Sequence, residues 1–408
     1  MRWSLLLVLP MVTASVCAAD AQMKLRLIPE YHQENPDSLF APGIAYSDFG
    51  RNRIQQEAEL RAAAEGLGLV ATGRSTAMEK AKPDNQLIVN ELYYETKLWE
   101  QRVSAGKKIM SWDVGFGFRP LDLIQQENRR AIFTSTLEGI PFLAWDRFNE
   151  TSAWTVLLAN PGRRQAGSAR DDESLAAKAY FRRDNTDLHV VMRVSERNEW
   201  ETGAAMTQVA EEGLEWHGSV VYQRRYEKIL NAMADQTASP LSGIDPVHAR
   251  NRRDGTKALL GMTWTASSGV SVLAEAWYDK SAYTSSEWAA VADLARRQSA
   301  LLGATGIPDQ AVRGNIAYSL RYFDRANLLQ QNLLLRVSYK GASGSLEPAA
   351  DILYTPQDRG WVATLSAGYE GNRYRIDAGC RVFGGADGSA YRLLAEKQVA
   401  YVAGQIAF

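Results

Sequence analysis

Cysteine is nearly absent: the 408 residues hold only Cys17 and Cys380. A chain so poor in cysteine has no disulfide framework, so its stability has to come from burial or from closing a sheet on itself. Also missing, once residues 1–21 are set aside, is any run of about 18 apolar residues, which excludes a transmembrane helix. No charge sign dominates, with 46 Lys and Arg against 47 Asp and Glu, and this balance argues against a nucleic-acid partner. Histidine is scarce as well: His32, His189, His217 and His248 are too scattered for a metal site. There is no Cys-x-x-Cys-His motif and no glycine-rich phosphate loop, so no cofactor and no metal are expected.

What is present begins with a leader. Arg2, the apolar stretch Leu5 to Val12 and the small residues Cys17-Ala18-Ala19 or Ala19-Asp20-Ala21 read as a secretory signal peptide over residues 1–21. A lipid anchor on Cys17 is the competing reading, disfavoured by Val16 directly before it. The remainder, 22–408, shows no low-complexity linker or composition break and is expected to be one domain.

At the other end, Ala400, Val402, Gly404, Ile406 and Phe408 fall on one face and Tyr401 and Gln405 on the other. A terminal aromatic on an alternating strand suits the closing strand of an outer-membrane barrel and the signal its assembly machinery reads, although an ordinary edge strand would alternate too. The pattern recurs, however. Over 187–195, Leu188, Val190, Met192 and Val194 oppose Asp187, His189, Arg193 and Ser195, and similar segments occupy 214–223, 316–324, 333–340, 361–370 and 373–382. One apolar and one charged face, with Tyr222, Trp264, Tyr339 and Tyr369 near strand ends, predict a transmembrane antiparallel β-barrel, an all-β fold with an aromatic girdle.

A literal count gives about nineteen strands, but a single-chain barrel needs an even number, so about eighteen are expected, with sixteen as the alternative. Short turns, including Asp184-Asn185 and Arg325-Ala326-Asn327, alternate with long polar loops at 34–53, 113–130, 161–174, 224–255 and 280–315. Two of those loops show helical spacing: Tyr226, Ile229, Leu230 and Met233 in one, and Trp288, Val291, Leu294, Ala295 and Leu301 in the other.

The most distinctive string is Gly106 to Leu123. Trp112 is expected to close a strand; Gly115 and Gly117 allow sharp backbone turns, and Pro120 fixes the next one. With Asp113, Arg119 and Asp122, these residues form a candidate constriction loop able to fold into the barrel, or else a cap on its rim. The string resembles the Trp, Gly-x-Gly and Pro-x-Asp pattern of alginate-export-type and related uncharacterised porin-like barrels. Asp113 and Arg119 stand where those families commonly have Gly and Asn. The resemblance implies a porin-like barrel and no particular substrate.

Arg182, Arg193, Arg321, Arg336, Arg373, Arg375 and Arg381 are expected to face the lumen. They would form a positive ladder or be paired by Glu57, Glu59, Glu91, Glu95, Glu215 and Asp377; mixed pairing with a modest anion preference fits the balanced charge. His217 and Ser219 share a face at a spacing similar to that of outer-membrane phospholipases, but no Asn-Gly adjoins Ser219 and this face is expected to be luminal, so no enzyme is expected. The reading that follows is a channel for small polar solutes, anionic ones among them, in the outer membrane of a Gram-negative bacterium, in contact with lipid and the barrel assembly machinery. The alternative is a structural or export barrel that anchors or surrounds a periplasmic or surface protein partner through its long loops.

Overall fold

The computed structural model describes residues 20–45, 51–125, 127, 137–162, 172–234, 236, 239–341 and 344–408. Most of the expected leader therefore lies outside the described residues, and the first strand already takes up Asp20 and Ala21.

Eighteen strands run in chain order, each pairing antiparallel with the next, and the first pairs with the last to close the barrel. They are β1 (Asp20–Glu34), β2 (Arg53–Ala64), β3 (Leu67–Met78), β4 (Asp84–Leu98), β5 (Gln101–Lys108) and β6 (Ile140–Phe148). There follow β7 (Ser152–Ala159), β8 (Ser174–Arg183), β9 (Thr186–Ser195), β10 (Glu199–Glu211), β11 (Leu214–Asn231) and β12 (Val247–Thr265). The last are β13 (Val270–Asp279), β14 (Gln331–Tyr339), β15 (Leu346–Thr355), β16 (Gly360–Glu370), β17 (Tyr374–Gly385) and β18 (Glu396–Ala407). Closure is tied by Met23 N donating to the Phe408 carbonyl at 3.3 Å and Phe408 N to the Met23 carbonyl at 2.9 Å. Such closure gives every strand a neighbour on both sides, although the outer parts of β11 and β12, residues 224–231 and 247–256, run on past their other neighbours and pair only with each other.

The two-residue period builds the wall. On β9, Leu188, Val190, Met192 and Val194 are exposed on the outside, while Val191 and Arg193 are buried within. The closing strand behaves the same way, with Val402, Ile406 and Phe408 exposed. Aromatic side chains mark both rims of the apolar band: Trp264, Tyr339 and Tyr369 lie at the turn end, and the Trp200 and Tyr222 rings approach to 5.1 Å toward the loop end. Among the described residues no helix is long and apolar enough to cross a membrane.

Four sequence expectations need correction. Residues 316–324 do not form a strand. Helix α3 (Asp309–Tyr318) and a 3₁₀ helix (Ser319–Asp324) take them, because Val312 and Ile316, four apart, turn into one apolar core. Nor does the stretch from Tyr226 coil into a helix. β11 runs on to Asn231, held by β12 in unbroken register through the Tyr226–Arg252 and Lys228–Arg250 pairs, so the loop shrinks to 232–246. Finally, Trp112 closes no strand, since β5 ends at Lys108, and Arg325-Ala326-Asn327 lies inside the long 280–330 connection.

That connection carries helix α2 (Ser285–Ser299) where the 288–301 spacing predicts one, started by a Thr284–Glu287 capping box. With the short helix α1 (Pro42–Ala45) and the 386–395 loop, it builds a cap whose core includes Phe40, Trp288, Ile316, Tyr322 and Tyr391. The cap dips onto the wall, reaching the inward-facing Val362.

Candidate functional site

Past Lys108 the chain turns into the barrel rather than over its rim. Its apolar side chains seat it against one half of the inner wall. Ile124 packs with Ile140, Phe142 and Leu157, Leu121 with Val191 and Val221, and Phe118 with Leu259, Trp277 and Leu334. The segment thus spans the wall from β6 to β14, with the Phe118 ring stacked on Trp277 at 6.1 Å.

Three carboxylates hold the loop's shape. Asp122 accepts hydrogen bonds from Trp112 N at 2.6 Å, Asp113 N at 3.2 Å and Ser111 Oγ at 3.0 Å, tying the outgoing arm to the returning one. Asp113 accepts from Val114 N at 2.7 Å, from Leu121 N, and from Ser219 Oγ of β11 at 3.3 Å. Glu275 of β13 accepts Phe116 N and Gly117 N at 2.7 Å each, while His217 Nε2 stands 2.9 Å from the same carboxylate. Arg119 donates inside the loop, to the Gly115 carbonyl at 2.9 Å and Ser111 Oγ at 2.8 Å. Glycine is required at Gly115 and gives the closest fit at Gly117. A Cβ on Gly115 would lie 1.9 Å from the Phe118 carbonyl oxygen, and one on Gly117 2.8 Å from Leu334.

Burial pushes the Asp122 carboxyl up to about 6, against the hydrogen bond from Trp112 N and the pull of Arg119, and it moves Asp113 the same way. A carboxyl raised above its ordinary value takes up a proton on folding, so the seated loop gains stability as pH falls through about 6 and loses it as pH rises. Between pH 7 and pH 5 the wild type should therefore gain on the order of 1–2 kcal/mol relative to Asp122→Asn. The gel-shift midpoint on heating measures this, and equal pH shifts in the two proteins would contradict it.

The other half of the wall is lined by ion pairs. Arg26 and Arg74 each reach Glu57 at 3.1 Å, Arg61 meets Glu59 at 2.6 Å, Arg336 meets Asp351 at 3.1 Å, and Arg375 meets Asp377 at 2.9 Å and Glu347 at 3.3 Å. Arg336, Asp351, Asp377, Arg381 and Tyr401 line a cavity of about 980 Å³ at the turn end of the lumen. Arg381 donates to Thr364 Oγ1 at 3.0 Å. Among the described residues these charges are paired, though mostly with other partners than the sequence suggests: Glu57 and Glu59 hold Arg26, Arg74 and Arg61, Glu95 holds Arg102, and Asp377 holds the expected Arg375.

Not every expected luminal arginine belongs to this wall. Arg182 keeps the inward register of β8 but is exposed near its turn. Arg193 is a buried brace, 2.7 Å from Glu201, 3.3 Å from Asp172 and 3.0 Å from Ser174 Oγ. Arg321 lies outside the barrel wall on the 3₁₀ helix and pairs with Asp245, since its segment is not a strand. Arg373 sits exposed in the short turn before β17, one residue short of the strand. Glu275, which accepts Phe116 N and Gly117 N, carries no signal in the sequence that marks it as an anchor. His217 and Ser219, weighed there as a hydrolase pair, each meet a carboxylate of the loop's mounting instead.

No family model and no curated protein matches the sequence. Solved structures do. OpdL of Pseudomonas aeruginosa superposes with a TM-score of 0.56 at 12% identity, covering 96% of this chain and 99% of that one. The BenF-like porin of Pseudomonas fluorescens Pf-5 gives 0.55 at 8% identity over 96% and 98%. Pseudomonas aeruginosa OpdK, solved with vanillate, gives 0.53 at 9% over 95% and 98%. At such identities the likeness is one of fold: this chain has the closed barrel of outer-membrane porins. The narrower likeness to alginate-export barrels gains no support from these comparisons.

Proposed function

We propose that this chain is a porin-like channel in the outer membrane of a Gram-negative bacterium, passing small polar solutes with a modest preference for anions. The observation that carries this reading is the asymmetric lumen. A self-braced loop from Trp112 to Asp122 covers the wall from β6 to β14, while the facing wall from β14 through β18 to β3 is lined by ion pairs. A narrowed, charged path of this kind admits hydrated polar solutes and disfavours apolar ones. Vanillate, present in the OpdK structure, is a small anionic solute of this class. In this reading the residues before the first strand direct export, the strands from Asp20 to Ala407 are the barrel, and the last of them addresses the assembly machinery.

The scaffold alternative would use the long loops 224–255 and 280–315 as partner contacts. Much of the first is taken up by the paired strands β11 and β12, and the second turns Trp288, Val291, Leu294 and Val312 inward, which leaves its helices little apolar surface to offer and favours the channel. Liposome swelling tests the proposal. Vesicles carrying the purified protein should swell in small polar solutes at rates that fall steeply with solute size. Rates no faster than those of empty vesicles would overturn the channel reading and leave the scaffold.

A further inference from the structure

Among the luminal carboxylates, Glu275 stands apart. Glu57, Glu59, Asp351 and Asp377 each meet an arginine. Glu275 is wholly buried, and among the described residues its one ion-pair partner is His217. Its other donors, Phe116 N and Gly117 N, come from a segment almost 160 residues away. Two successive backbone N–H groups converging on one carboxylate form a charge-assisted clamp, stronger than neutral hydrogen bonds of the same number. Gly117 eases the approach, since a Cβ there would lie 3.1 Å from Glu275 Oε2 and 2.8 Å from Leu334 Cδ2, and these side chains would have to give way. His217 completes the arrangement: its Nε2 meets the latch carboxylate at 2.9 Å, while its buried Nδ1 makes no hydrogen bond and stands 3.8 Å from Glu215.

We propose that Glu275 is the latch of the inserted loop, a positioning residue that fixes the pore's narrowest section and so its size selectivity, with His217 orienting it. The proposal rests on the channel reading for its consequence but not for its geometry. Glutamine at this position fills the same volume yet aims an NH₂ group at one of the two loop N–H donors. The loop should then leave its seat part of the time.

Two readouts test this in the full chain. In planar bilayers, Glu275→Gln should raise mean conductance about 1.5- to 2-fold and add switching between sublevels, because the narrowest section limits current. In a Cys380→Ala background, Phe116→Cys should react faster with a water-soluble maleimide when Glu275→Gln is added. Gly117→Ala attacks the same contact from the loop side with the barrel wall intact, and it decides the matter if Glu275→Gln fails to fold. A folded, heat-modifiable Gly117→Ala or Glu275→Gln protein with unchanged conductance and unchanged labelling would overturn the latch. A wild type that conducts nothing, with labelling still accelerated by either variant, would uphold the latch and sink the channel reading instead.

Discussion

Deleting Gly115 to Pro120 is expected to raise single-channel conductance about 2- to 5-fold and to weaken ion selectivity, because the narrowest section sets both. The deletion removes the two N–H groups that Glu275 clamps, the Phe118 ring seated on Trp277, and Arg119, which braces Ser111 and Gly115. The barrel itself should survive. Its strands pair without help from these residues, and β5 and β6 keep their register through Arg102–Asp146 to Lys108–Ile140. Conductance in planar bilayers, after the gel shift on boiling has shown the variant to be closed and folded, provides the check. Unchanged conductance would make the loop a rim ornament with no hold on the pore.

Arg193 and Arg375 look alike in the sequence and should behave oppositely. Arg193 is 3% exposed and its partner Glu201 is 1% exposed, so replacing Arg193 with alanine leaves a buried carboxylate without its cation. Breaking such a pair costs about 3–5 kcal/mol, which should show as a collapse in folding yield and a lower gel-shift temperature. Arg375 lies in the open lumen among Glu347, Glu370 and Asp377, and Arg375→Gln should fold normally. Its effect should be electrical: removing fixed positive charge moves the reversal potential in a salt gradient toward cation preference. If Arg193→Ala folds at wild-type yield, or if Arg375→Gln leaves the reversal potential unmoved, the division between braces and lumen charges is wrong.

Much of this barrel is legible in the sequence because its rule is local. A period of two with lipid outside and charge inside writes itself into every strand, and the pattern from Leu188 to Val194 is as clear on paper as in the wall. The loop is legible only in part: Gly115, Gly117 and Pro120 mark it, but the two glycines serve by lacking a Cβ beside Phe118 and Leu334 and not by a left-handed backbone. Where two periods fit the same residues, the reading fails. Ile316, Tyr318, Leu320 and Tyr322 alternate, yet Val312 and Ile316 also sit one helical turn apart, and the cap core decides for helix. Tyr226, Ile229 and Leu230 fit a helix until the partner strand supplies their hydrogen bonds. The inward face of a strand also says nothing about depth, so the buried brace Arg193 and the open Arg375 cannot be told apart. The latch leaves no local trace at all, since Glu275 and the N–H groups it clamps meet only when the barrel closes.

Single-channel recording of the purified wild-type protein in a planar bilayer tests the central claim most directly. Discrete openings should appear, of smaller size than those of the Gly115–Pro120 deletion, with a reversal potential in a salt gradient displaced modestly toward anions. A bilayer that accepts the folded, heat-modifiable protein and shows no current above that of the lipid alone would contradict the account.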